Sequence, residues 1–143
     1  MCYRVTQYTE HRKALTRLLL SCHALAIERL RWTEHCRPYI TRNWRLCRFC
    51  KIAVESPEHA LLECNGLEAL TALRNGFMTR MYTDVAHLPH RPMVSSIDLL
   101  RSILAERKTI QLFAKYTYEV LMVFEVEPIS RGCHVLNCPY RDG

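Results

Sequence analysis

Residues 47–64 read CRFCKIAVESPEHALLEC, a stretch in which three cysteines and one histidine are spaced Cys-x2-Cys-x8-His-x4-Cys. The four residues are Cys47, Cys50, His59 and Cys64. Thiolate and imidazole are the groups that bind zinc in structural sites, and four of them complete its tetrahedral coordination. The spacing therefore predicts one structural Zn²⁺ per chain, held by a small zinc knuckle over residues 45–66.

The residues between these ligands predict how the four side chains converge. The Cys-x2-Cys pair is typical of a tight turn that points both sulfurs at one metal, and residues 51–54 predict a short β-strand or hairpin beside it. Ser56 and Pro57 are typical of an N-cap and a first helical position, so a short helix is expected up to Cys64. Because five residues turn through about 140° net on a regular α-helix, we expect the last turn to fray or distort so that Cys64 can lie beside His59.

The rest of the chain predicts a mainly α-helical domain. Glycine accounts for only 4 of 143 residues, whereas folds built of many hairpins need glycine in their turns. Apolar residues recur at three- and four-residue spacing in four further segments, which predict helices over residues 9–32, 67–82, 97–106 and 110–124. Ser95 and Asp98 have the spacing of a capping box at the start of the third of these helices.

These elements predict one structural domain with four parts. The parts are an N-terminal amphipathic helix and basic loop over residues 1–44, the knuckle over residues 45–66, C-terminal helices over residues 67–128 and a loose tail over residues 129–143 that carries free thiols. The start of the chain is polar, and the longest apolar run is about five residues, against the roughly 20 that a membrane helix needs. We therefore expect an intracellular protein, nuclear or cytoplasmic, that is not secreted, does not contact a membrane and keeps its cysteines reduced.

Positive charge is concentrated beside and within the knuckle. The formal net charge is +6, and residues 29–51 alone hold seven basic residues and one acidic residue, which equals the whole excess. Aromatic residues are interleaved with these cations. Cations that contact phosphates and rings that stack on bases together favour RNA or DNA as a partner. The residues expected to bind nucleic acid are Arg31, Arg37, Arg42, Trp44, Arg45, Arg48 and Lys51.

The same residues are also compatible with a different function. The rings could pack against the knuckle, which needs apolar cover, while the arginines form a solvated face. The protein would then be a zinc-stabilised scaffold for protein–protein interaction, and the C-terminal helices would supply the surface for its partner.

Three stretches of the sequence resemble a known family: RLCRFC at residues 45–50, VESPEHALLEC at residues 54–64 and LR at residues 73–74. They are similar to the zinc-binding domain near the C-terminus of reverse transcriptases from non-LTR retrotransposons. The resemblance covers about residues 15–80, including an upstream helix that bears leucines, arginines and His23. It implies that the two cysteines of the first stretch and the histidine and cysteine of the second are the metal ligands, and that the zinc region helps to hold nucleic acid during target-primed reverse transcription.

The resemblance does not extend to a polymerase active site. Residues 82–85, Tyr-Thr-Asp-Val, lack the second adjacent aspartate of a polymerase motif, and two-metal catalysis needs paired carboxylates. Four protein ligands also leave no open position on zinc for a substrate. We therefore expect a zinc module that is not an enzyme and that is similar to a C-terminal piece of such a protein.

Overall fold

The structure, a computed structural model, describes residues 9–31 and 39–129. In this part of the chain there are five α-helices, which are α1 Thr9–Leu19, α2 Ala26–Arg29, α3 Glu68–Asp84, α4 Ser96–Ala105 and α5 Ile110–Val126. Shorter helical turns cover Arg42–Trp44, His59–Glu63 and Arg107–Thr109. The predictions for Arg37 and for the tail from residue 130 lie outside the described residues.

The prediction of a mainly helical fold is confirmed. Over the described ranges, β pairing is limited to one isolated antiparallel bridge between Leu46 and Val54. Of the short strand or hairpin predicted at residues 51–54, the structure shows only a tight hairpin turn: one bridge pair, flanked by hydrogen bonds from the Cys47 N–H to the Ala53 carbonyl and from the Glu55 N–H to the Arg45 carbonyl. None of the helices described is long and apolar enough to cross a membrane.

The helix predicted over residues 9–32 is interrupted where α1 ends. Ser21 has a φ of 55°, in the left-handed region that ends helices. The Cys22 N–H donates to the Arg17 carbonyl at 2.8 Å and the Ser21 N–H donates to the Leu18 carbonyl at 3.3 Å, which are the paired bonds of a Schellman motif. The apolar periodicity continues into α2, so it did not reveal the break.

The three C-terminal helices form close to where the periodicity predicts them. The Ser95 Oγ accepts a hydrogen bond from the Asp98 N–H at 3.2 Å, so the predicted cap of α4 is confirmed. Helices α1 and α3 both pack along α5, whose Phe113, Val120 and Phe124 side chains are fully buried. Helix α5 is therefore the centre of the core.

The knuckle packs on the same core as the helices. Leu61 is fully buried and Leu62 nearly so, and both lie between the third and fourth ligands of the motif. The Phe49 ring meets the Phe124 ring edge-to-face, with centroids 4.8 Å apart. The knuckle is therefore embedded in the helical domain, as predicted.

Candidate metal centre

The four side chains that the motif singles out converge on one point. Their ligand atoms all lie within 4.8 Å of one another. The Sγ atoms of Cys47 and Cys64 are 3.6 Å apart, and the Cys50 Sγ lies 3.3 Å from the His59 Nε2. A tetrahedral site with zinc–sulfur bonds of about 2.3 Å separates its sulfurs by about 3.8 Å. The cluster could therefore hold a metal ion.

The cluster is largely closed to solvent. Cys47 and Cys64 are fully buried, His59 is buried and Cys50 is half-buried. Removing three thiols and an imidazole from water costs free energy unless these groups hydrogen-bond to one another or bind a cation. The donor set and its burial thus fit a closed structural metal site.

A tight turn presents the first two ligands. The Lys51 N–H donates to the Cys47 carbonyl at 2.9 Å, and Lys51 has a φ of 58° that lets the chain reverse. The Cys47 N–H donates to the Ala53 carbonyl at 2.8 Å across the hairpin. Backbone amides of Phe49 and Cys50 also hydrogen-bond to the Cys47 sulfur. The turn therefore supplies donors that stabilise a thiolate.

A π-helical turn, His59–Glu63, presents the other two ligands. The Cys64 N–H donates to the His59 carbonyl at 2.8 Å, which is the i→i+5 bond of a π-turn. The wider turn places Cys64 on the same side as His59, which a regular α-helix would not do. The Ser56 Oγ accepts from the His59 N–H at 3.4 Å at the start of this helix. The expected distortion therefore takes the form of a π-turn.

Gly66 allows the two halves of the knuckle to meet. A Cβ at this position would lie 2.5 Å from the Cys50 nitrogen and 2.7 Å from the Phe49 carbonyl carbon. Because both atoms belong to the backbone, no side chain can move aside to make room. The Gly66 backbone also hydrogen-bonds to the Cys64 sulfur. Only glycine fits between the fourth ligand and the turn that carries the first two.

Arginines from outside the knuckle satisfy the carbonyls at the end of the π-turn. Arg74 of α3 donates to the carbonyls of Leu61 and Cys64, and Arg91 donates to the Leu62 carbonyl at 2.7 Å. Cations at a helix C-terminus bind its unpaired carbonyls and match its dipole. Sequence reasoning missed these roles because the partners lie up to 29 residues apart.

Two of the residues predicted to bind nucleic acid are instead part of the interior. Arg45 and Arg48 are each only 6% exposed. The Arg45 guanidinium donates to the carbonyls of Ile40 and Ile27, both at 2.9 Å, and its carbon lies 5.5 Å from the centre of the Tyr39 ring. The prediction is wrong for these two residues, because their donors are directed at protein groups and cannot reach a phosphate.

Arg48 forms a buried ion pair with Glu55. Its Nη2 lies 2.6 Å from the Oε1 of Glu55, which is fully buried, and it also donates to carbonyls of Ala24 at 2.8 Å and Glu127 at 2.8 Å. The same carboxylate accepts the Ala26 N–H at the start of α2, at 2.8 Å. The pair thus connects the knuckle to α2 and to the end of α5.

Sequence reasoning missed the role of Glu55. The available signal was its position as the first acidic residue after the basic segment over residues 29–51, which made it a candidate partner for one of those arginines.

The other predicted nucleic-acid residues that the structure describes lie at the surface. Arg42 and Trp44 belong to one exposed 3-10 turn, and Trp44 is 46% exposed. Lys51 is exposed on the hairpin beside Cys50, and Arg31 is exposed near Glu28, with 3.5 Å between their charged atoms.

Hydrogen bonds within the cluster separate the pKa values of its members. The bond to Cys64, together with burial, raises the pKa of the Cys47 thiol to about 12, and the same bond lowers the pKa of Cys64 to about 7. Burial alone would lower the pKa of His59, but the hydrogen bonds and negative charges of Cys47 and Cys50 outweigh it and raise that pKa to about 9. A metal ion that binds at pH 7 must therefore displace protons from Cys47 and His59.

No protein-family model, curated protein or solved structure matches this chain. The resemblance to the zinc-binding domain of retrotransposon reverse transcriptases therefore stays a prediction made from the motif residues. What the fold and the site define is a helical domain with a Cys₃His cluster that could bind a metal ion.

Proposed function

We propose that Cys47, Cys50, His59 and Cys64 bind one structural Zn²⁺. The observation that carries this proposal is the approach of their four ligand atoms to within 4.8 Å of one another in a buried position. Three thiolates and an imidazole suit zinc, whereas magnesium and calcium prefer oxygen ligands. Since the protein supplies all four ligands, the metal orders the chain and has no open position for a substrate.

Metal analysis of the purified protein tests this proposal. One zinc per chain is expected in the wild type, and the variants Cys47→Ser and Cys64→Ser are each expected to lose it. Cys22→Ser is the matched control, because Cys22 is an exposed cysteine outside the cluster. Full zinc retention in both cluster variants would overturn the assignment.

We propose further that the exposed surface beside the knuckle binds RNA or DNA. The chain carries a formal net charge of +6, and Arg42, Trp44 and Lys51 are all exposed around the knuckle. A cation and a ring on one short turn suit a single strand, because the cation contacts phosphate while the ring stacks on a base. The resemblance to the retrotransposon zinc-binding domain supports the same function. Among the described residues, the contacts then come from Arg31, Arg42, Trp44 and Lys51, without the two buried arginines.

Binding to labelled single-stranded RNA and DNA over a range of salt concentrations tests this function. Three cationic contacts give a log–log slope near −2, at about −0.7 per contact. Lys51→Ala is expected to flatten the slope by about 0.7, and Trp44→Ala to cost about 1–3 kcal/mol with little change of slope. Arg101→Ala, which removes an exposed cation from α4, is the control. No binding at about 50 mM salt would exclude the proposal.

A second candidate function is a zinc-stabilised scaffold for protein interaction. The observation that favours it is an apolar groove of about 600 Å³ between α3 and α5, lined by Ala69, Leu73, Gly76 and Leu112 among others. Small residues on α3 keep this groove open. A protein that binds zinc but neither RNA nor DNA would make the scaffold the leading function.

A further inference from the structure

The two ring nitrogens of His59 face different groups. Its Nε2 points into the cluster, 3.3 Å from the Cys50 Sγ. Its Nδ1 is buried without a hydrogen-bond partner among the described residues, and the Glu63 carboxylate lies beside it, with its Oε2 3.5 Å away. One ring nitrogen is thus placed to bind a metal while the other faces a carboxylate.

Helix α4 holds that carboxylate in place. The Ser96 Oγ donates to the Glu63 Oε1 at 2.7 Å, and Ser96 is buried at the first position of α4. Glu63 itself lies on the π-turn, four residues after His59, and its side chain is 38% exposed. One carboxylate oxygen is therefore engaged by α4, and the other remains directed at the imidazole.

We propose that Glu63 is a positioning residue for the metal: it accepts the Nδ1–H of His59, so that the Nε2 lone pair is free for zinc. This inference rests on the proposed zinc site. Metal-binding histidines generally donate their other ring N–H to a carboxylate or carbonyl, which fixes the tautomer and makes the ligand more basic. The 3.5 Å separation has to shorten to about 3 Å for this hydrogen bond to form. Ser96 sets the direction of that carboxylate.

An exposed His–Glu pair at i,i+4 would have little consequence, because water competes for both groups. Here the imidazole side chain is only 8% exposed, and its Nδ1 has no other acceptor among the described residues. Loss of the carboxylate would leave a buried N–H without a partner when zinc holds the other nitrogen. Loss of the Glu63 carboxylate should therefore lower zinc affinity, which the experiment measures.

Zinc affinity, measured by competition with a chromophoric chelator, provides the first test. Glu63→Ala is expected to weaken zinc binding about 10- to 100-fold, the usual range for loss of such a partner. Glu63→Gln keeps an acceptor oxygen and is expected to lose less. The loss of zinc affinity in Ser96→Ala is expected to lie between the losses in Glu63→Ala and Glu63→Gln. The controls Glu68→Ala, an exposed residue at the start of α3, and Ser102→Ala on α4 should bind zinc as the wild type does.

The ¹⁵N NMR spectrum of His59 in the zinc-loaded protein provides a readout that a merely structural residue would not change. The wild type is expected to show a protonated Nδ1 whose proton exchanges slowly with water, and Glu63→Ala is expected to speed that exchange. A bare Nδ1, or unchanged affinity and exchange in Glu63→Ala, would overturn the inference while the zinc site stands. A wild type that binds no zinc would instead overturn the zinc site, and the inference with it.

Discussion

The knuckle over residues 45–66 and the helices α1, α3 and α5 are stabilised by different kinds of interaction. The helices bury apolar side chains that recur along the chain, such as Phe113, Val120 and Phe124 of α5. The knuckle depends on polar groups that each have a specific partner, including the Arg48–Glu55 ion pair and the cluster of Cys47, Cys50, His59 and Cys64. Burial of apolar area is spread over many atoms, whereas a polar network fails when one member is removed.

The two regions nevertheless share one interior. Leu61 of the π-turn is fully buried, and Phe49 of the knuckle meets Phe124 of α5. Loss of the knuckle is therefore expected to loosen the helical part without unfolding it. The difference can be tested by changing the knuckle or the helices and measuring the stability of both regions.

Removal of the metal is expected to have the largest effect. In isolated zinc-finger peptides, zinc binding supplies roughly 10–16 kcal/mol of free energy for folding. Chelation should therefore unfold the knuckle. The backbone N–H groups of Cys47, Lys51 and Cys64, which are hydrogen-bonded within the knuckle, should lose their protection from hydrogen exchange. Those of α5 should keep most of theirs. Unchanged protection in the knuckle after chelation would show that the metal does not order it.

Removal of Glu55 is expected to have the next largest effect. Glu55→Ala leaves the buried Arg48 guanidinium without its counter-charge, which costs about 3–5 kcal/mol of unfolding free energy. Glu119→Ala breaks an exposed pair with Lys115, 3.8 Å apart, and should cost at most about 1 kcal/mol. Denaturant unfolding of the zinc-loaded variants measures both. Equal costs would mean that the buried pair has no special role.

Acid is expected to affect the knuckle before the helices. The pKa values of Cys47 and His59, about 12 and about 9, lie above 7, so both groups hold protons that zinc must displace. Zinc affinity should therefore fall as the pH falls, by at least roughly 100-fold per unit, because below pH 7 the Cys64 thiol, whose pKa is about 7, adds a third proton that zinc must displace. Calorimetry in buffers of different ionisation enthalpy counts the protons released. A pH-independent affinity between pH 6 and pH 8, which bracket neutrality, would contradict the proton assignment.

Substitution of one glycine in each region by alanine is expected to have opposite effects on stability. Gly66→Ala forces a Cβ to within 2.5 Å of the Cys50 nitrogen and is expected to destabilise the zinc-loaded protein by about 1–3 kcal/mol, as overpacking does. Gly76→Ala has nothing within 4 Å of the new Cβ. It lies inside α3 and should stabilise the protein by up to about 1 kcal/mol. Thermal unfolding gives the sign of each effect, and destabilisation by Gly76→Ala as well would show that α3 has no room for a methyl group at this position.

The sequence predicted the helices better than it predicted the polar contacts, and the reason is physical. Periodicity reports which face of a helix is buried, so α3, α4 and α5 were found within a few residues. It does not report backbone breaks such as the left-handed Ser21, which leave the apolar pattern in phase. A run of cations likewise does not say which of them will find a buried carboxylate, so Arg48 was assigned to the surface.

At the metal cluster, the spacing identified the four side chains and the need for a distorted turn. It did not identify the form of that distortion, because the π-turn depends on Arg74 and Arg91 to satisfy its last carbonyls. These arginines come from outside the motif, so no local rule connects them to it. The four cluster residues were predictable because they are close in sequence, whereas the roles of Arg74 and Arg91 were not, because both lie outside the motif.

Two serine caps are expected to give the smallest effects, and they distinguish the regions most finely. Ser95 caps α4 through the Asp98 N–H at 3.2 Å, and Ser56 caps the knuckle helix through the His59 N–H at 3.4 Å. Ser95→Ala should cost about 1 kcal/mol of unfolding free energy with or without zinc, since α4 is folded in both forms. Ser56→Ala should leave the stability of the zinc-free protein unchanged, because the helix that Ser56 caps is already unfolded without zinc. It should instead lower zinc affinity by about fivefold, since folding of the knuckle is coupled to zinc binding. Unfolding curves of both variants with and without zinc measure the difference. If Ser56→Ala destabilises the zinc-free protein as much as Ser95→Ala does, the knuckle folds without metal, and the two regions are one cooperative unit.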